Sequence, residues 1–257
     1  MTQRVLDLAG VYNFRRFGAY DAADGRTVRP GLYRSGQFSR ATDEDRDALD
    51  DLGVTVVADL RRPSERAAEP SHWPDRPGVT VIESHHAGPA EAPHIAFLRE
   101  ADLTFDTIRE FMTSTYRRLP FDAGNQHVFR EGIKALAERG EEEAFIVHCA
   151  AGKDRTGLFC ALVLTEAGVD PDTVVDDYLM TNRVVDFDTV ANAMRGRLED
   201  KYGREFRHEE LKAFMGVDAD YLDAALEEMG DPRRYLREEL GLDDATLERM
   251  RERLLAG

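Results

Sequence analysis

The residues best equipped for chemistry in this chain stand together between Phe145 and Gly157. An apolar run, Phe145-Ile146-Val147, closes on His148 and Cys149, and Ala150-Ala151-Gly152-Lys153-Asp154-Arg155-Thr156-Gly157 follows. The run from Ala144 to Val147 reads as a buried strand that delivers Cys149 to the end of a sheet. Ala150, Ala151 and Gly152 carry so little side chain that their N–H groups can turn inward around an oxyanion. A helix beginning near Arg155 adds the positive end of its dipole. Arg155 brings a planar fork of donors suited to two phosphate oxygens, and Lys153 and Asp154 complete the phosphate-binding loop. These surroundings favour the thiolate of Cys149. A thiolate at the base of an anion cradle predicts attack on phosphorus, in which Cys149 displaces an alcohol or phenol and leaves a thiophosphate for water to remove.

His-Cys-x5-Arg-Thr-Gly resembles the signature of the cysteine-dependent tyrosine and dual-specificity phosphatases. The full string from His148 to Gly157 is closer to the bacterial tyrosine and lipid phosphatases with an AGKDRTG loop. Seven or more positions agree in type and spacing, which weighs against a core cysteine followed by an ordinary strand-to-helix turn. Other segments resemble the same family. Asn13-Phe14-Arg15-Arg16-Phe17-Gly18 matches its Asn-Phe-Arg-Asp-Leu-Gly opening, with Arg16 where the pattern has Asp. Tyr33-Arg34-Ser35, Asp59-Leu60-Arg61 and the run Tyr178-Leu179-Met180-Thr181-Asn182 match its later segments.

Cys149 is the expected nucleophile and Arg155 the phosphate clamp. Thr156 is placed to donate its hydroxyl to the departing sulfur, and His148 to brace the loop. The acid that protonates the leaving group is open between two residues. Asp59, at the end of a neighbouring strand, is preferred for that step, and Asp154 for the electrostatics of the loop. Arg15 and Arg34 read as pins on loop carbonyls in preference to phosphate ligands. Thiolate, arginine and backbone donors supply the chemistry, so no metal or cofactor is expected. Phosphotyrosine proteins are the expected substrates, extending to phosphoserine and phosphothreonine. Lys153 resembles a lysine in the loops of lipid phosphatases and raises phosphoinositides as the alternative. A catalytically silent phosphate-binding module and an arsenate-reducing enzyme are the remaining readings; the second needs resolving thiols, and only Cys160 is present.

The surrounding elements predict an α/β fold: a mostly parallel central sheet flanked by helices, with the loop at a strand's carboxyl end. The whole of 1–257 reads as a single phosphatase domain. Within it, 84–125 is a candidate helical insertion resembling the lid that covers the site in a member of the family, with extra core helices as the alternative. Residues 188–257 read as a helical C-terminal region. Thr42 opens a helix with a capping box, Val54–Ala58 and Val79–Glu83 read as strands, and Arg26–Ser35 reads as a hairpin. Trp73-Pro74-Asp75 resembles the mobile acid loop of other tyrosine phosphatases, but it lies 74 residues before Cys149 and reads better as a surface turn.

The 257 residues are 42% hydrophobic, ample for a full core. The net charge of −16 argues against nucleic acid as a partner and weakens approach to an anionic bilayer. From His208 to Gly257 there are 14 acids against 7 bases, read as a solvated helical surface. Two cysteines eleven apart suit a reducing compartment. With no leader and no apolar stretch of membrane-spanning length, a cytoplasmic address without integral membrane association is expected. Leaderless export, which the family resemblance implies, is the other route.

Overall fold

The computed structural model describes residues 4–74, 77–88 and 93–257. Strands and helices alternate through the first two thirds: β1 (Arg15–Arg16), β2 (Thr27–Val28), β3 (Leu32–Ser35), α1 (Asp43–Asp50), β4 (Val54–Asp59), α2 (Pro63–Ala68), β5 (Thr80–Glu83), α3 (Pro93–Glu100), α4 (Phe105–Arg118), α5 (Ala123–Glu138), β6 (Ala144–His148) and α6 (Asp154–Ala167). Helices then dominate: α7 (Pro171–Leu179), α8 (Thr181–Val184), α9 (Phe187–Tyr202), α10 (His208–Met215), α11 (Ala219–Met229), α12 (Pro232–Glu238) and α13 (Asp244–Leu254), with a final strand, β7 (Leu255–Ala256).

The segments Val54–Ala58 and Ala144–Val147 are apolar or β-branched at almost every position, as strands covered on both faces must be. They lie at the centre of a five-stranded sheet ordered β1-β3-β6-β4-β5, in which β3, β6, β4 and β5 run parallel and β1 is antiparallel at one edge. Alternation along β6 divides the interior in two. Phe145 and Val147 enter the larger core beneath α5 and α6, while Ala144 and Ile146 enter a smaller one with Tyr33, Phe38, Leu49 and Trp73. A Cβ at Gly132 would meet the Phe159 ring at 3.1 Å, so this glycine sets how closely α5 approaches α6. The sheet therefore ends β6 with Cys149 at its carboxyl edge, sandwiched between helical layers. The fold is α/β with a mostly parallel sheet.

Local signals place several boundaries. Thr42 caps α1 through a reciprocal box with Asp45, Asp170 and Pro171 open α7, and Gly168 closes α6 at φ +84°. Two readings need correction. Arg26–Ser35 is not a hairpin: β2 pairs with β7 from the far end of the chain, while β3 joins the main sheet. The turn signals at Gly25 and Gly31 are local and carry no information about which strand lies across. Trp73 is not on a surface turn; it is 3% exposed, packs on Phe38, and donates from Nε1 to Asp50 at 2.8 Å. Asp75 lies outside the described residues.

The 84–125 segment holds α3 and α4. Ile108, Met112 and Tyr116 of α4 are buried, and this helix packs against α10 and α11. Phe97 of α3, Phe111 of α4 and Phe214 of α10 form a stack. By contrast α9 buries Ala191 alone among its side chains. No described helix is long and apolar enough to cross a membrane.

Phe159 fills the space between Phe129 and Phe145, with ring centroids 5.6 and 5.8 Å away. Phe159→Ala should lower the free energy of unfolding by about 3–5 kcal/mol in urea titration; a midpoint matching the wild type would show that this interface does not carry the α6 packing.

Candidate active site

The loop after β6 is shaped from outside. Gln37 N–H donates to the Ala150 carbonyl at 3.1 Å. Asn13 Nδ2 donates to the carbonyls of Ala151 and Gly152 at 3.3 and 2.9 Å, and Arg34 Nη2 to Gly152 at 3.1 Å. Each peptide is planar and trans, so a carbonyl held outward turns the next residue's N–H to the concave side. Among the described residues none accepts from the N–H groups of Ala150, Ala151, Gly152 or Lys153. Gly152 makes this path possible. Its φ is +67°, and a Cβ would fall 2.3 Å from the Ser35 backbone. The result is a ring of unpartnered donors beside Cys149, whose residue is 2% exposed, continued by the free first turn of α6.

Arg155 projects from that first turn. Its Nη1 donates to the Leu60 carbonyl at 2.8 Å and to Glu65 at 2.7 Å, and its Nη2 donates to Glu65 at 2.8 Å. Three of the five N–H groups are engaged in this way. The edge formed by Nε and the second Nη2 hydrogen is left, and that edge has the spacing for two oxygens of one phosphate. Burial alone would raise the Glu65 carboxyl, but the Arg155 fork and the Arg62 N–H outweigh it and bring it down to about 2.

Asp59 stands at the end of β4, opposite His148, but is otherwise occupied. Arg61 grips it through Nε at 3.0 Å and Nη2 at 2.8 Å, and the carboxylate is 3% exposed. Burial opposes its charge, yet His148 and Arg61 hold its pKa below the usual carboxylate range. Burial lowers the pKa of His148 itself despite Asp59. Arg61 is the cation that Asp59 pairs with. His148 packs edge-on against Phe38 and sits beneath the loop.

Asp154 opens α6 with its side chain a quarter exposed, and its Oδ1 accepts from the Tyr116 hydroxyl at 2.6 Å. Lys153 turns away from the cradle. Its ammonium donates to the carbonyls of Phe214 and Gly216 at 3.1 and 3.3 Å and lies 3.7 Å from Asp154. The Thr156 hydroxyl is fully buried and has no hydrogen-bond partner among the described residues. Arg34 lies against the loop carbonyls and pairs with Asp177 at 2.7 Å, both side chains buried. Arg15 is also buried and holds Asn13, the Asp177 carbonyl and Thr181. Cys160 points into the core, where burial pushes its thiol up to about 12.

Comparison with known proteins accords with this geometry. The model of the tyrosine phosphatase family matches residues 6–256. The chain belongs to that family. It is 35% identical to the triple specificity protein phosphatase PtpB of Mycobacterium tuberculosis over 98% of this chain and 99% of the relative. A provisionally named tyrosine-protein phosphatase of Cupriavidus necator is 32% identical over 92% of this chain and 84% of its own length. A tyrosine-protein phosphatase of Nostoc commune is 29% identical over 58% of this chain and 47% of its own length.

For several residues around this candidate site the sequence carried little or no signal of the contacts they make. Glu65 lies within a short polar helix with nothing local to link it to Arg155. Tyr116 stood in no motif, and Tyr178 was visible only as part of the family-like run to Asn182. Asn13 was visible as part of a motif, but its grip on the loop depends on a backbone at φ +60°.

The Glu65 pair gives a pH dependence with a definite sign. The folded carboxyl lies at about 2 against 4.5 for an ordinary glutamate, so its stabilisation is complete above that ordinary value and is lost as pH falls toward 2. Glu65→Gln should lower stability by roughly 3 kcal/mol near neutrality, with the gap closing in acid. Denaturant titrations of both proteins across pH check this; a gap independent of pH would show that Glu65 does not act through its charge.

Proposed function

We propose that this chain hydrolyses phosphotyrosine in proteins through a cysteinyl-phosphate at Cys149. The observation that carries this reading is the row of unpartnered N–H groups from Ala150 to Lys153, closed by the free edge of Arg155. Together they match the equatorial oxygens of a phosphoryl group and the charge that builds there in the transition state. The Cys149 sulfur attacks phosphorus, the P–O bond to the tyrosine breaks, and the phenolic oxygen takes a proton from Asp154. In the second step Asp154 accepts a proton from water, whose oxygen attacks phosphorus. The P–S bond breaks, sulfur leaves as thiolate, and inorganic phosphate departs. The Thr156 hydroxyl, lacking another partner, is available to the leaving sulfur.

We assign the acid to Asp154 in place of Asp59. Asp59 is gripped by Arg61 through both of its oxygens, so it has no free oxygen to aim. Asp154 is partly exposed at the rim and has one oxygen, Oδ2, that no described residue bonds. Phosphoserine and phosphothreonine are proposed as further substrates, in keeping with the triple specificity named for the Mycobacterium tuberculosis relative. The phosphoinositide reading is the weaker one here. It relies on Lys153, whose ammonium already serves two carbonyls at the end of α10.

Phosphate release from aryl phosphates, measured with wild type, Cys149→Ser and Asp154→Asn, tests both assignments. Cys149→Ser should abolish turnover. Asp154→Asn should lose about 10²-fold or more on a poor leaving group and far less on a good one, as loss of a general acid does. Turnover unchanged in Cys149→Ser would remove the nucleophile from the proposal, and equal losses on both leaving groups would remove the acid.

A further inference from the structure

Asp154 is held by residues well outside its own loop. Tyr116 of α4 donates to Oδ1 at 2.6 Å, and the Tyr178 hydroxyl of α7 lies 2.7 Å from that of Tyr116. Both rings are buried. An ionised carboxylate can only accept, so the single hydrogen of the Tyr116 hydroxyl must point at Asp154. Tyr178 must then donate to Tyr116, which fixes the direction of both bonds. The packing leaves the two phenols little room. Tyr221 of α11 lies against the Tyr116 ring at 5.7 Å, and Tyr178 meets it edge-on at 6.2 Å. Gly157 clears the space on the other side, since a Cβ there would stand 2.8 Å from the Tyr178 ring.

We propose that Tyr116, oriented by Tyr178, is a positioning residue for the general acid: its phenol fixes Oδ1 of Asp154 and so directs Oδ2 at the leaving oxygen. This rests on the reading of Asp154 as the acid. The chain of two phenols links the catalytic loop to α4, α7 and α11, and it carries no proton of its own to substrate. Burial raises the pKa of Tyr116 and of Tyr178 well above the usual phenol value, so both stay protonated and remain donors throughout the working range. The other groups that face Asp154 are the Lys153 ammonium, Arg155, His94 of α3 and the Tyr221 phenol. All of them are retained when Tyr116 is changed.

Tyr116→Phe should leave KM for aryl phosphates close to the wild-type value and act on kcat. With Oδ1 released, kcat on a poor aryl leaving group should fall about tenfold, part of the full contribution of a general acid, with a good leaving group far less affected. Tyr178→Phe should act in the same direction more weakly. In an Asp154→Asn background Tyr116→Phe should add no further leaving-group sensitivity. KM and kcat of these variants would be compared on both leaving groups, with thermal unfolding recorded for each. Equal losses on both leaving groups, or a loss carried by KM, would overturn the positioning role and leave Tyr116 a packing residue. If Tyr116→Phe does not fold, Tyr178→Phe decides by the same two readouts. Failure of the acid assignment would look different: Asp154→Asn itself would then lose equally on both leaving groups.

Discussion

The loop after β6 depends on a buried cation that lies behind it. Arg34 is fully buried, pairs with Asp177 at 2.7 Å and donates to the Gly152 carbonyl at 3.1 Å. A charge so far from water is tolerable only when paired and hydrogen-bonded, and removing either partner would leave the other unmatched. That requirement ties β3 to α7 and both to the loop. With Asn13 it draws the loop carbonyls outward, and peptide planarity turns the adjacent donors inward. The anion cradle is thus a consequence of where its carbonyls are held, and Arg155 completes it from a helix end whose orientation the same packing sets.

This arrangement explains how a chain with a net charge of −16 can present a site for phosphate. The surplus acids lie on exposed helical faces, where solvent screens them, while the cradle acts at contact distance through donors that have no other partner. Glu65, although acidic and close by, serves the site, because it occupies one edge of Arg155 and leaves the phosphate-facing edge free. The late helices are more than a solvated surface. They contribute Tyr221 against the Tyr116 ring, and the end of α10 receives Lys153.

The loop from His148 to Gly157 was legible in the sequence because its chemistry is contiguous: thiol, small residues, arginine and helix start follow one another. The parallel sheet was legible for a similar reason, since strands buried on both faces cannot be polar. What could not be read are relations between distant segments. β2 finds its partner in β7 at the chain's end, Glu65 finds Arg155 across the sheet edge, and Tyr116 finds Asp154 from another helix. Asp59 shows the boundary between the two kinds of information. Its place at a strand end was evident, but its occupation by Arg61 emerges only when the side chains are packed, and on that ground Asp154 is the acid we propose.

The central claim, that phosphoryl transfer passes through the Cys149 sulfur, is tested most directly by trapping the intermediate. The enzyme would be mixed with an aryl phosphate, quenched in acid within the first turnover and digested, and its peptides weighed. The account predicts one phosphoryl group on the peptide that carries Cys149, labile as a thiophosphate and absent in Cys149→Ser. Product formed in a first-turnover burst with no phosphoryl group on that peptide, or a phosphoryl group found on another residue, would contradict it.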